Sequence, residues 1–347
     1  MELGIGMFGD LNFNQHTKQY QSTAQRYKEI IEEVKLADEL GIDVFAMGEH
    51  HREDYSVSAP EIMLAAVSSV TKNIKLSSGV NVISSTDPVK LYQDFSMLDL
   101  MSEGRAEIMA GRGSFVESFP LFGYDLNDYS ALFEEKLELL LELRKNKTIT
   151  WKGKFRAPII DQTVYPLPQN KIPVWIAVGG TTSSVVRAAT LGLPIIFAII
   201  GGMPVQFKPL IEFYKEQYIQ SGHDPKKMQI AVHSHTFISD SKEEILKDYY
   251  AQYAYSMNKI GKERGWSEAY TPEKFKAGMS SNGALYMGST DDVTEKIINT
   301  INMFGLTRYI AHIDVGGPTH KQIMKTIELY GTKVLPVVKS NFNGVHP

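Results

Sequence analysis

Eight short runs of apolar and β-branched residues recur along the chain, and each leads into a segment whose apolar residues fall at helical spacing. The runs are Leu3–Phe8, Asp43–Gly48, Lys75–Val80, Ala106–Gly111, Pro173–Val178, Pro194–Ile200, Gln229–Ile238 and Arg308–Val315. Such alternation makes successive strands parallel, because each helix carries the chain back to the edge where the last strand began. Several runs are apolar at consecutive positions, as strands must be when helices cover one face and packed side chains the other. Eight parallel strands close into a (β/α)8 TIM barrel of the α/β class. The competing arrangement is an open doubly wound sheet. No Gly-x-Gly-x-x-Gly turn follows the first run, where a dinucleotide fold would carry it.

The periodicity predicts helices over Thr23–Leu40, Ala59–Thr71, Val89–Met101, Ser130–Lys145, Thr182–Leu191, Pro204–Gln220, Lys242–Glu263, Thr290–Phe304 and Thr319–Leu335. Gly41, Gly104, Gly192 and Gly305 stand just past helix ends, where a left-handed residue closes the last turn. Two stretches are too long for plain connections. Residues 148–171, with Thr-Ile-Thr-Trp and then Pro166 and Pro168, read as a hairpin excursion before strand five. Residues 263–286, between strands seven and eight, are polar and aromatic and form a lid candidate. The expected organisation is one barrel domain over residues 1–347.

Composition narrows the function. The net charge is −4 without long runs of one sign, which argues against nucleic acid and against a basic membrane surface. Cysteine is absent, so disulfides, thiolate metal sites and cysteine nucleophiles are excluded, and a reducing cytoplasm fits. The start, Met-Glu-Leu-Gly, lacks the basic and apolar regions of an export signal.

In a parallel barrel the chemistry lies where strands end. Glu49-His50-His51 ends the second run, so this pair serves a metal, a proton or neither. Adjacent residues on a strand face opposite ways, which strains chelation by both, and no metal site is expected. His233 and His235 share one face of strand seven and could join His50 in a cluster, although pointing into the barrel without a ligand is the favoured reading. His312 and Asp314 repeat that spacing on strand eight. Arg112 follows strand four, and Gly179-Gly180-Thr181-Thr182-Ser183-Ser184 opens the helix after strand five. Small residues at a helix start beside an arginine make a phosphate cradle; equally, Thr182 or Ser183 could cap the helix while Arg112 pairs with a carboxylate.

Taken together, the motifs resemble the bacterial luciferase-like, flavin-dependent monooxygenase family over nearly the whole chain. The resemblance rests on Gly48-Glu49-His50-His51, Asp87-Pro88-Val89, Leu98 to Arg105, Arg112 to Gly123 and Gly192-Leu193-Pro194, in that order and spacing. It implies a barrel, usually dimeric, that holds FMN across the strand C-termini. By position, His50 matches the catalytic histidine, with His51 orienting it, and Arg112 the phosphate clamp; Gly180, Thr181 and Ser184 match the other phosphate ligands. Gly79 and Val80 match a non-prolyl cis peptide beneath the flavin ring, and Met7, His51 and Gly179 complete the flavin site. The implied chemistry is oxygenation of a small organic substrate by reduced FMN and O2, with proton control by a histidine near its ordinary pKa. Reduced flavin would come from a partner reductase or from NAD(P)H directly. A flavin reductase and a non-catalytic flavin-binding protein are the other functions that such a chain could have. A reactive cysteine of luciferase aligns with Gly111, so light emission is not implied. Glu49-His50-His51 favours FMN over a deazaflavin.

Overall fold

The eight expected strands form, and they pair in the order that closes a ring. They are β1 (Glu2–Met7), β2 (Val44–Met47), β3 (Lys75–Ser78), β4 (Ala106–Gly111), β5 (Val174–Val178), β6 (Ile195–Ala198), β7 (Ile230–Ile238) and β8 (Arg308–His312). Every neighbouring pair is parallel, and β8 returns to β1 with Gly6 opposite His312. This computed structural model describes residues 1–113 and 115–342; Ser114 of the motif after β4, and residues 343–347, lie outside the described residues.

The barrel helices are α1 (Thr23–Glu39), α2 (Pro60–Ser68), α3 (Pro88–Met101), α4 (Tyr129–Lys145), α5 (Thr182–Thr190), α6 (Lys208–Gln220), α7 (Thr290–Phe304) and α8 (His320–Leu329). Local chemistry sets their ends. Asp87 accepts the Val89 and Lys90 amides ahead of α3, Ser289 and Asp292 cap α7 reciprocally, and Gly305 closes α7 at φ 67°. Leu, Ile and Val from the outer strand faces pack on the helices as the main core. Among the described residues, no helix is long and apolar enough to cross a membrane.

Inside the ring, alternate residues stack in layers, as strand geometry requires. The lowest layer joins Arg308 to Glu107 at 2.6 Å and to Glu2 at 2.6 Å, with the guanidinium 4.2 Å from the Trp175 ring. Above it lie Val44, Ala46, Met109, Trp175, Ile196, Ala231 and Ile310. The upper layer is histidine: His233 and His312, with ring centroids 4.9 Å apart, and His235.

Two expected helices are interrupted. The stretch 242–263 divides into Lys242–Asp248 and Tyr250–Glu263, because Tyr249 turns inward, donates to the Val315 carbonyl at 2.5 Å and stacks on Phe237. After α8 the chain widens into a π-turn over Tyr330–Val334 before the helix Leu335–Phe342; Pro336 has no N–H to donate backward and so cannot sustain an unbroken ladder. The excursion before β5 is a hairpin of Thr148–Trp151 with Ile159–Thr163. The insertion between β7 and β8 contains a helix, Pro272–Met279, and a short strand, Tyr286–Gly288, that extends the sheet along β7. Phe275 and Met279 bury against Phe237, Tyr249, Tyr253 and Met287, a second core beside the barrel.

Candidate active site

At the C-terminal ends of the strands opens a cavity of 330 Å³, where most of the expected site residues meet from separate elements, though Met7, Gly180 and Ser184 do not line it. His50, His51, Gly79, Val80, Arg112, Gly179 and Thr181 line it. So do Phe8, Phe115, Ser118 and Tyr129, which motif reading passed over. Phe8 could have been found by continuing the inward alternation of Gly4 and Gly6. The other three depend on how the loop after β4 folds back.

Glu49 explains the paired histidines. One carboxylate oxygen meets His51 Nε2 at 2.9 Å and the other accepts the Val82 amide at 2.8 Å, so Glu49 ties the β2 end to the chain leaving β3. His50, on the opposite side, donates its own amide to Val57 O and sets its ring among Phe8, Tyr55 and Phe115 at 4.8, 4.2 and 5.2 Å. The near-ordinary pKa expected of His50 is not found. Burial among rings pushes it down to about 3, with His312 and Arg52 adding to the effect. His50 is therefore a neutral imidazole at physiological pH.

The Gly79–Val80 peptide is cis. Val80 also fills the space beside Gly111: a Cβ built on Gly111 would lie 2.5 Å from Val80 Cγ2. A side chain where luciferase has cysteine would thus collide with Val80.

On the far wall, Arg112 donates to Thr181 Oγ1 at 3.0 Å, and Thr181 donates to Ser184 Oγ at 2.9 Å. Thr181 is the N-cap residue of α5, yet its side chain makes no cap bond, and a Cβ on Gly179 or Gly180 would meet nothing within 4 Å. The helix start is thus open, edged by glycine and faced by a guanidinium, which suits an anion. Gly180 itself faces a shallow hollow against α6 and does not line the cavity. Met7 departs further from expectation. It is buried on the outer side of β1, with its sulfur 3.8 Å from Arg26, so it does not reach the cavity. Buried Ser118 Oγ, among the described residues, has no partner and lines the wall.

His233, His235 and His312 form the floor. His235 Nδ1 meets the Tyr253 hydroxyl at 2.9 Å, and His312 Nε2 lies 3.1 Å from Asp314 Oδ1. The grouping of His50 with His233 and His235 is not close enough to share an ion. Among the described residues, the donor sets near enough are Asp10–His312–Asp314 and Glu29–Glu33–His320. In the first, Asp314 already accepts the amides of Phe8, Gly9 and Asp10, and Asp10 accepts that of Gly316. In the second, Arg26 holds Glu33 at 2.8 Å.

The mouth is pinned by an ion pair. Arg52 meets Glu263 through two bonds of 2.6 Å while its guanidinium lies 4.4 Å from the Phe115 ring. Arg264 approaches the same ring at 5.4 Å. The lid candidate begins here, but none of residues 265–286 lines the cavity, because their apolar side chains are spent on the second core.

Comparison with known proteins decides the family. The sequence model described as luciferase-like monooxygenase matches residues 1–312. The chain belongs to the luciferase-like monooxygenase family. As a member it is a monooxygenase. This luciferase-like monooxygenase is 24% identical over 326 residues to the alkanal monooxygenase alpha chain of Aliivibrio fischeri, covering 86% of this chain and 90% of that one. It is 27% identical over 241 residues to the oxygenase component of the flavin-dependent trigonelline monooxygenase of Acinetobacter baylyi, covering 65% and 62% of the two chains. In fold it is similar to the oxygenating constituent of 3,6-diketocamphane monooxygenase of Pseudomonas putida, solved with FMN. There the TM-score is 0.77 at 20% identity, over 97% of this chain and 98% of that one.

Proposed function

We propose that this monooxygenase binds FMN and uses its reduced form with O2 to oxygenate a small organic substrate in the cavity. The observation that carries this reading is the open start of α5: Thr181 leaves the helix uncapped, and Arg112 stands over it through Thr181 Oγ1 at 3.0 Å. Arg112, Thr181 and Ser184 would hold the phosphate, and Gly179 leaves the backbone bare for close approach. Ser118 Oγ, without a partner among the described residues, offers one more hydrogen bond within the wall.

When bound, the flavin supplies the redox chemistry. The chain's residues supply place, dryness and protons. Phe8, Val80, Met109, Val178 and Ile196 make the walls apolar, which keeps water from the reacting atoms. Glu49 fixes His51 and the Val80–Val82 chain as one unit. His50, held neutral, can donate one hydrogen bond and accept another without bringing charge to the wall. Reduced flavin would arrive from a partner reductase, or NAD(P)H would reduce it in place. The protein would act as a homodimer, with exposed Ile62 of α2 and Met97, Leu100 and Met101 of α3 available to a twofold mate.

Comparing FMN with riboflavin tests the assignment. Loss of the charge-assisted bonds in Arg112→Ala removes about 1.5–3 kcal/mol, so FMN binds roughly ten- to a hundredfold more weakly while riboflavin is unaffected. Equal losses for both flavins would overturn the phosphate assignment. Stopped-flow mixing of the reduced protein with oxygen, beside steady-state NAD(P)H oxidation, then distinguishes an oxygenase from a flavin reductase.

A further inference from the structure

The cavity wall carries two polar side chains that the fold itself leaves unused. Two carboxylates and three hydroxyls line the cavity, from Glu49, Glu117, Ser118, Tyr129 and Thr181. Most are committed internally. Glu49 gives one oxygen to His51 and the other to the Val82 amide, Tyr129 donates to the Gly113 carbonyl at 3.2 Å, and Thr181 donates to Ser184 Oγ. The remaining two are consecutive in the chain. Ser118 is 3% exposed, and its Oγ has no partner among the described residues. Glu117 is the N-cap residue of the short helix Ser118–Phe122, yet its side chain makes no cap bond and forms no other hydrogen bond or ion pair among the described residues. A buried hydroxyl left bare costs free energy, which a ligand's hydrogen bond offsets.

The loop after β4 fixes where this pair lies. Phe119, fully buried, sets its ring 5.5 Å from that of Tyr129, and the Arg112 guanidinium lies 5.1 Å from the same Tyr129 ring. Glu117 and Ser118 are thus held beside the guanidinium assigned to the phosphate. Among the described residues Arg112 and Glu117 do not pair with each other, so the wall offers an anion site and, near it, a separate carboxylate and hydroxyl that accept hydrogen bonds. A phosphate ester of a sugar alcohol matches both. It is an anion at one end and carries, on the carbons that follow, hydroxyl groups that donate. The apolar lining, with Phe8, Val80, Met109, Val178 and Ile196, offers such hydroxyls no partner.

We propose that Glu117 and Ser118 form a subsite for the hydroxyl groups of a sugar-alcohol chain, the ribityl chain that joins the flavin ring to its phosphate.

This rests on the reading of the cavity as an FMN site and adds which residues recognise the part between ring and phosphate. With both oxygens free, Glu117 can accept from two neighbouring hydroxyls at once, while Ser118 donates to or accepts from another. The two act on affinity and on where the ring comes to rest, because the chain is then held along its length as well as at its phosphate.

Titrating the flavin-free protein with lumiflavin, riboflavin and FMN tests the subsite, since these carry a bare ring, a ribityl chain and a ribityl phosphate. Wild type should bind lumiflavin roughly tenfold or more weakly than riboflavin. Glu117→Ala should weaken riboflavin and FMN by the same factor, roughly ten- to a hundredfold, and Ser118→Ala by roughly two- to tenfold, with lumiflavin unchanged in both. Glu117→Gln, which keeps one accepting oxygen, should fall between wild type and Glu117→Ala. The pattern differs from that of Arg112→Ala, where FMN alone suffers. Lumiflavin bound as tightly as riboflavin would overturn the proposal on wild-type protein, without any variant having to fold. Losses in the variants that lumiflavin shares, or that riboflavin escapes, would do so equally, and the FMN reading would then stand without the subsite. A wild type that binds none of the three overturns both.

Discussion

Replacing Arg308 with methionine removes the group on which the bottom of the barrel is built. Arg308 is 1% exposed and gives Glu107 two bonds, at 2.6 and 3.1 Å, while its Nε donates to Glu2 at 2.8 Å. After substitution, buried Glu107 keeps, among the described residues, only Lys75 at 3.5 Å, and that lysine is 43% exposed. A carboxylate left buried without its partner costs about 3–5 kcal/mol, a large share of the roughly 5–15 kcal/mol by which proteins of this kind are stable. Changing both residues, Arg308→Met with Glu107→Leu, removes the stranded charge and fills its space, so the double variant should be more stable than Arg308→Met alone. Urea unfolding followed by far-ultraviolet circular dichroism and by tryptophan fluorescence measures both; coincident transitions justify treating each as one step. Flavin binding by the folded variants should be unchanged, because the cavity lies at the opposite strand ends. A loss under 1 kcal/mol in the single variant, or a double variant no better than it, would refute the reasoning.

Three other outcomes follow from the geometry. Burial pushes the Lys296 ammonium down to about 7, so the folded protein binds fewer protons than the unfolded chain between there and the ordinary lysine value. Stability should therefore rise with pH across that window in the wild type and rise less in Lys296→Gln, measured by denaturation at several pH values. Gly111→Ala would place a Cβ 2.5 Å from Val80 Cγ2, and weaker flavin binding with little change in fold is expected by titration and circular dichroism. Since His50 is held down at about 3, His50→Ala should lower turnover without moving the midpoint of its pH profile between roughly pH 5 and 9; a midpoint displaced by a full unit would show that His50 titrates there.

The strands were legible because their signal is local. A run such as Ile195–Ala198, buried at both faces, must be apolar throughout, and the structure begins and ends it within two residues of the expected limits. The helix breaks were not legible, since Tyr249 leaves the helix to reach Val315, far along the chain. Within the site, Arg112 and Thr181 could be named from a glycine-rich helix start, as could the paired histidines from a strand end. The sequence offered Thr182 or Ser183 as the cap of that helix; instead Thr181 stands at the cap position and spends its hydroxyl on Arg112 and Ser184. The neutral state of His50 was beyond reach, because it comes from Phe8 and Phe115 on two other loops as well as from Tyr55 on its own. Met7 failed for a simpler reason: its register on β1 turns it toward α1, where Arg26 waits.

The fit between Gly6 and His233 ties one position to another far along the chain. A Cβ on Gly6 would lie 2.7 Å from His233 Nε2, so the imidazole occupies the room that any larger residue on β1 would need. The dependence runs one way: position 6 gains a side chain only if the His233 ring gives way, while 233 can shrink with Gly6 in place. A relative that gains a side chain at position 6 should carry something smaller than histidine at 233, and an engineer who wishes to build inward from β1 must change 233 first.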